Sequence, residues 1–125
     1  MKDLWINSGT TISARYGVKP IEDIQEGDII ITLNEKTNKQ EIKKVTSIRN
    51  SEHAELVEYN FGDELKLIAS FKYDVKVGDE VETSWQEIER IINIKSFPKS
   101  FYFTSYNIQV EDNNNFYANG ILIHN

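Results

Sequence analysis

The chain has no cysteine. A disulfide framework, a thiolate zinc site and thiol catalysis are excluded together. The same absence leaves the redox compartment open and is compatible with the cytosol. Histidine is scarce: His53 and His124 are the two present, too few for a histidine-rich metal site. No metal or organic cofactor is expected. Proline occurs twice, at Pro20 and Pro98, each near the edge of an expected element, so little interrupts strand formation. No apolar run approaches the ~18 residues of a membrane span. Met1 to Asn7 lacks the apolar centre of a signal peptide, so a cytoplasmic protein is expected. Positive charge is outnumbered: 14 Lys and Arg face 20 Asp and Glu, a net charge of −6. A basic field for binding nucleic-acid backbones is therefore not expected. A chain of 125 residues is expected to form one domain with a core of its own.

What is present reads as many short strands, a mostly-β domain. Ile29-Ile30-Ile31 after Gly27-Asp28 has the form of a buried strand. Glu41 to Ile48 continues with imperfect alternation. Glu55 to Tyr59 and Glu64 to Ala69 flank the turn pair Gly62-Asp63. Tyr73 to Val77 alternates polar with apolar, and Phe101 to Val110 is rich in aromatic and β-branched residues. One short helix is expected from Ser84 to about Ile91, because Ser84 and Glu87 have capping-box spacing. Asp23-Ile24-Gln25-Glu26-Gly27-Asp28 is echoed by Asp74-Val75-Lys76-Val77-Gly78-Asp79, and Ile30 and Val81 then match as well. A duplication would give two halves related by a pseudo-twofold axis; a chance recurrence of a Gly-Asp turn is the alternative.

The sharpest local signal is near the C-terminus. Phe116-Tyr117-Ala118, Asn119-Gly120 and Ile121-Leu122-Ile123 form a hairpin pattern around the favoured turn pair. The returning strand delivers His124-Asn125. An asparagine amide nitrogen can attack its own backbone carbonyl, forming a succinimide and cutting the following bond. A neighbouring histidine, with its ordinary pKa of about 6.5, can move the proton.

Val110 to Asn125 closely resembles the C-terminal motifs of inteins. Gly9-Thr10-Thr11-Ile12, Gly17 to Ile24 and Gly27-Asp28 resemble their N-terminal motif. The likeness spans nearly all of residues 8–125. It implies the Hint fold: all-β, horseshoe-like and pseudo-twofold, with residues 8–125 as a mini-intein too short to hold a homing endonuclease. Residues 1–7 would be an N-extein stub or a tag. Lys2 to Asn7 followed by Ser8 resembles the Asn-Ser junction of family B DNA polymerases, so the implied partners are flanking extein segments of such a polymerase. The domain itself would be a monomer or a complex of split fragments.

The resemblance also implies site residues. The usual family spacing places the first nucleophile at Trp5, which cannot serve. Ser8 is the only hydroxyl or thiol residue between Met1 and Gly9. Either Ser8 opens the intein, or the domain is dead at this step. Ser70-Phe71-Lys72-Tyr73 aligns with the family's Thr-x-x-His, making Ser70 and Tyr73 donors for the N-terminal junction; ordinary strand packing is the other reading of Tyr73. Asn107 stands where the family has Asp and Asn114 where it has His. Asn107 cannot act as a base, though its amide can orient a carbonyl or water, and Asn114 reads equally well as a turn residue. His53 reads as a solvated loop residue.

The activity implied is autocatalytic splicing of the serine type. Ser8 Oγ attacks the Asn7 carbonyl, a host Ser or Thr after Asn125 takes the acyl group, and His124 and Asn125 resolve the branch. That downstream residue is not in the chain. Two alternatives remain: a splicing-inactive Hint-like binding module, favoured by Tyr73, Asn107 and Asn114, and a domain that cleaves only at its N-terminal side.

Overall fold

Alternating aliphatic residues and Gly-centred turns make the backbone strand for most of its length. The computed structural model describes residues 4–53, 56–62, 65–70, 75–97 and 103–124. In chain order the strands are β1 (Ile6–Asn7), β2 (Thr11–Ala14), β3 (Gly17–Pro20), β4 (Ile29–Asn34), β5 (Lys39–His53), β6 (Leu56–Asn60), β7 (Lys66–Ser70), β8 (Glu80–Glu82), β9 (Ile88–Arg90), β10 (Asn93–Ser96), β11 (Phe103–Val110), β12 (Asn115–Ala118) and β13 (Ile121–His124). The principal sheet runs β10-β6-β7-β1-β11-β5-β4-β2-β12-β13, with β3 beside β2, while β8 and β9 form a separate ribbon. The expected all-β architecture is what the chain adopts.

β5 joins the two parts of the sheet. Its residues Lys39 to Lys44 pair with β4, and Val45 to His53 pair with β11. The two tiers share one apolar interior, in which Ile6, Ile12, Ile30, Leu67, Ile108, Phe116, Ile121 and Ile123 are essentially sealed from water. Each such side chain contributes roughly 1.5–3 kcal/mol by leaving water.

The sequence echo is a structural repeat. In both copies the aspartate carboxylate accepts a backbone N–H three residues back, Gln25 at 2.8 Å for Asp28 and Lys76 at 3.0 Å for Asp79. In both copies glycine has a positive φ, 92° at Gly27 and 94° at Gly78, a conformation that costs glycine nothing. Gly27 and Gly78 donate to Val45 and Ile91, each at 2.8 Å, and those residues donate back to Asp28 and Asp79 at 2.8 and 3.0 Å. Ile30 and Val81, the matching positions beyond, are both buried. The Gly-Asp turn is thus built twice on the same backbone bonds.

Three local expectations are corrected. Ser84 does not open a helix; the described helical segment is the 3-10 turn Ile21–Asp23. Thr83 takes the capping role instead, closing a tight loop onto Glu87: its Oγ1 accepts from Glu87 N at 3.0 Å and donates to Glu87 O at 3.1 Å. The Glu87 carboxylate accepts the Trp85 indole N–H at 3.1 Å, and Gln86 has a left-handed φ of 65°, which a helix does not allow. Val75 to Val77 is not a strand but leads into the second Gly-Asp turn; Tyr73 and Asp74 lie outside the described residues. His53 is not in a loop, for its backbone ends β5 opposite Phe103.

Candidate functional site

β1 enters the middle of the sheet. Ile6 faces Tyr106 of β11 on one side and Ala69 of β7 on the other. One step back along both antiparallel ladders, Trp5 stands level with Asn107 and with the backbone of Ser70. Asn107 is buried, and its Nδ2 donates to the Leu4 carbonyl at 3.0 Å. Its Oδ1 accepts from Arg49 Nη2 at 3.0 Å and from Gln109 Nε2 at 2.9 Å. The Arg49 guanidinium lies 5.6 Å from the centre of the Trp5 ring, within cation–π range. An ionised aspartate in place of Asn107 would turn an oxygen toward the Leu4 oxygen, so the amide is the side chain this contact requires.

Ser8 lies beyond β1 on an exposed turn, about 10 Å further along an extended chain from Trp5. Its N–H donates to Thr104 O at 3.0 Å, and Thr10 N donates to Asn7 O at 3.3 Å. The Glu22 carboxylate, beside the Ser8 hydroxyl, accepts Gly9 N at 2.8 Å. The Gly9 N–H, then Glu22's own backbone N–H and more weakly the Ser8 hydroxyl, hold Glu22 below the usual carboxylate range. Ser8 is therefore grouped with Glu22, while Ser70 and Asn107 are grouped around residue 5.

The C-terminal hairpin turns where expected. Asn119 and Gly120 have φ values of 49° and 81°, as a type I′ turn requires. The Asn119 side chain ties this turn to two distant strands: Oδ1 accepts Thr11 N at 2.9 Å, and Nδ2 donates to Lys66 O at 2.9 Å. The loop after β8 closes over the turn, with Ser84 N donating to Gly120 O at 2.8 Å. All of β12 and the first three residues of β13 are buried, and His124 alone emerges. His124 Nε2 meets Glu35 Oε1 at 3.0 Å. Opposite His124, the sealed Asn115 amide bonds both backbone groups of Leu33, accepting from N at 2.8 Å and donating to O at 2.9 Å.

The other expected residues divide as follows. Tyr73 and Asn125 lie outside the described residues, and Ser70 is described only as the end of β7. Asn114 is an exposed turn residue with φ 58°. Its neighbour Asn113 makes the inward contacts, donating to Thr32 Oγ1 at 2.8 Å and Glu41 Oε1 at 2.9 Å. Sequence reasoning missed Arg49, Glu35 and Asn115. The available signal was an asparagine heading a strand otherwise apolar, Asn115-Phe116-Tyr117-Ala118. Among the described residues no three His, Asp or Glu side chains converge as metal ligands, and no helix is long and apolar enough to cross a membrane.

No family model matches the chain, and no curated protein matches it. Solved structures do. A bacterial intein-like domain from Clostridium thermocellum superposes with TM-score 0.89 at 25% identity, over 100% of this chain and 99% of that one. The gp41-1 intein gives 0.82 at 21% identity, over 99% and 100%. A variant of the Ssp DnaB mini-intein gives 0.87 at 16%, over 98% and 94%. The chain has the intein, or Hint, fold along its whole length.

Proposed function

We propose that this chain is an autocatalytic self-processing domain that cuts the peptide bond after Asn125 by asparagine cyclisation. The observation that carries the reading is the C-terminal hairpin, buried up to Ile123 and releasing His124 at its end against Glu35. The Asn125 side-chain nitrogen bonds to its own backbone carbonyl carbon and gives up one proton, the bond to the next residue breaks, and His124 carries that proton to the leaving amine. A strand anchored as far as His124 supplies the orientation this closure needs.

In its full form the proposal is splicing of the serine type. Ser8 Oγ bonds to the Asn7 carbonyl carbon and the Asn7–Ser8 C–N bond breaks, leaving an ester and a free amine. A Ser or Thr following Asn125 takes the acyl group, and Asn125 then releases the joined flanks. The partners are flanking extein segments, read as those of a family B DNA polymerase. Two features support this form: the Glu22 carboxylate lies beside the Ser8 hydroxyl, and Thr10 N donates at 3.3 Å to Asn7 O, where negative charge would develop. Ser70 and Tyr73 are proposed as further donors.

A second reading is favoured by a different contact. Asn107 holds the carbonyl of Leu4, three residues before Asn7. With Trp5 next to that carbonyl, the N-terminal step is silent and cutting after Asn125 is what remains. One experiment separates the forms: attach a host segment to each end, with Ser after Asn125, and weigh the products. Joined flanks mean splicing, a single cut after Asn125 means cleavage alone, and an intact chain overturns self-processing.

A further inference from the structure

We propose that Asn119 is a modification site held shut by the fold: it deamidates to aspartate and isoaspartate when the C-terminal hairpin opens. Asn119-Gly120 is the one Asn-Gly pair in the sequence. In this step the Gly120 nitrogen bonds to the Asn119 carboxamide carbon. The Cγ–Nδ2 bond breaks, and Nδ2 leaves as ammonia with the proton that Gly120 gives up. A succinimide remains, and water opens it at either carbonyl. A side chain at residue 120 would hinder the attack, and glycine does not. No enzyme or cofactor is needed, and the chemistry does not depend on Asn125.

The fold demands this reactive pair. Gly120 has φ 81°, which suits glycine, and a Cβ there would meet the Trp85 ring at 2.6 Å. Asn119 has φ 49°, a conformation asparagine tolerates. The bonds that fix the pair also block its reaction. The leaving nitrogen Nδ2 donates to Lys66 O at 2.9 Å. Oδ1 accepts from Thr11 N at 2.9 Å and from Thr11 Oγ1 at 3.2 Å. The carbon between them cannot turn onto the Gly120 nitrogen until both ends are released. The main chain is pinned on either side as well: Asn119 N donates to Thr11 O, and Gly120 O accepts from Ser84 N, each at 2.8 Å. Local opening of the hairpin frees these groups together. The product does not fit back. Aspartate sets an oxygen where Nδ2 faced the Lys66 oxygen, two acceptors in contact. Isoaspartate adds a carbon to the main chain of a two-residue turn, whose geometry is narrowly defined.

The test incubates the 125-residue chain in mildly alkaline buffer, folded and in denaturing urea. Residue 119 is followed by peptide mapping with mass detection and by enzymatic methylation of isoaspartate. Conversion should be slower in the folded chain by on the order of a hundredfold or more, because only the open fraction reacts. Urea below the unfolding midpoint should already raise it. Asn119→Asp, made directly, should have a lower urea midpoint than the parent. Equal rates in the folded and unfolded chain overturn the inference, as does a residue 119 that stays amidated in denaturing urea. A parental midpoint in Asn119→Asp overturns the claim that the product does not fit.

Discussion

The two ends of the chain join the same sheet in opposite ways. At the N-terminal end, β1 is flanked on both sides, the Leu4 carbonyl is occupied by Asn107, and Arg49 covers Trp5. At the C-terminal end, the hairpin is buried along its length and then lets its final described residue out. On the self-processing reading, the parts at the first end are divided, the Leu4 carbonyl held by Asn107 and the Ser8 hydroxyl three residues after Trp5. At the second end they are consecutive in sequence, His124 and Asn125, after an anchored strand that ends at His124. Consecutive parts are placed by a single element, whereas divided parts need the chain between them to bend.

The largest effects are expected at the open end. In a chain extended beyond Asn125, Asn125→Ala should abolish cutting, and His124→Ala should slow it ~10²-fold or more. Mass spectrometry should find the released domain one water lighter than its hydrolysed form. A released domain ending in free asparagine at all times, even in acid, would point to ordinary hydrolysis.

The closed end can be opened by one substitution. Trp5→Cys places a thiol beside the Leu4 carbonyl that Asn107 already holds. A thioester should form, with the Leu4–residue 5 amide broken, and hydroxylamine should release a segment ending at Leu4. The parent should release nothing there; release after Asn7 instead, abolished by Ser8→Ala, would move the site to Ser8 and erase the contrast between the two ends.

Asn107→Ala tests whether that contact is structural. It leaves the Leu4 oxygen without its buried donor and should cost about 1–3 kcal/mol, read as a lower urea midpoint with unchanged slope. No loss of stability would mean that water replaces the amide.

The smallest expected effect is at Glu22. Its folded pKa lies below its ordinary value because Gly9 N–H and then its own N–H bond the carboxylate. The ionised form is favoured in the fold, so its contribution is present above the ordinary carboxylate range and fades as pH falls through the depressed value. Glu22 is exposed, so Glu22→Gln should cost under about 1 kcal/mol at neutral pH. The cost should vanish in acid, as urea midpoints at the two pH values would register.

Much of the architecture was legible because its signals are local. Gly27-Asp28 and Gly78-Asp79 carry their turns in their own side chains, and Asn119-Gly120 specifies its hairpin by φ alone. The helix from Ser84 failed because its capping pattern is also local and other bonds use the same groups: the distant Gly120 carbonyl takes the Ser84 N–H, and the nearby Trp85 indole takes the Glu87 carboxylate. The site was harder to read. The pairing of Asn107 with Leu4 spans 103 residues and that of Asn115 with Leu33 spans 82. No spacing within a motif reports such a contact; it follows from strand order, which the sequence expresses only through the whole fold.

The bonds between Asn115 and Leu33 also set an order in time. Strands pairing across so much chain are slow to find one another, because loop closure is lost entropy until the contact forms. β4 is synthesised long before β12 and β13 and must wait for them. On the self-processing reading, the newly made tail stays inert until that hairpin has seated itself, and the first cut then marks the moment when folding is complete.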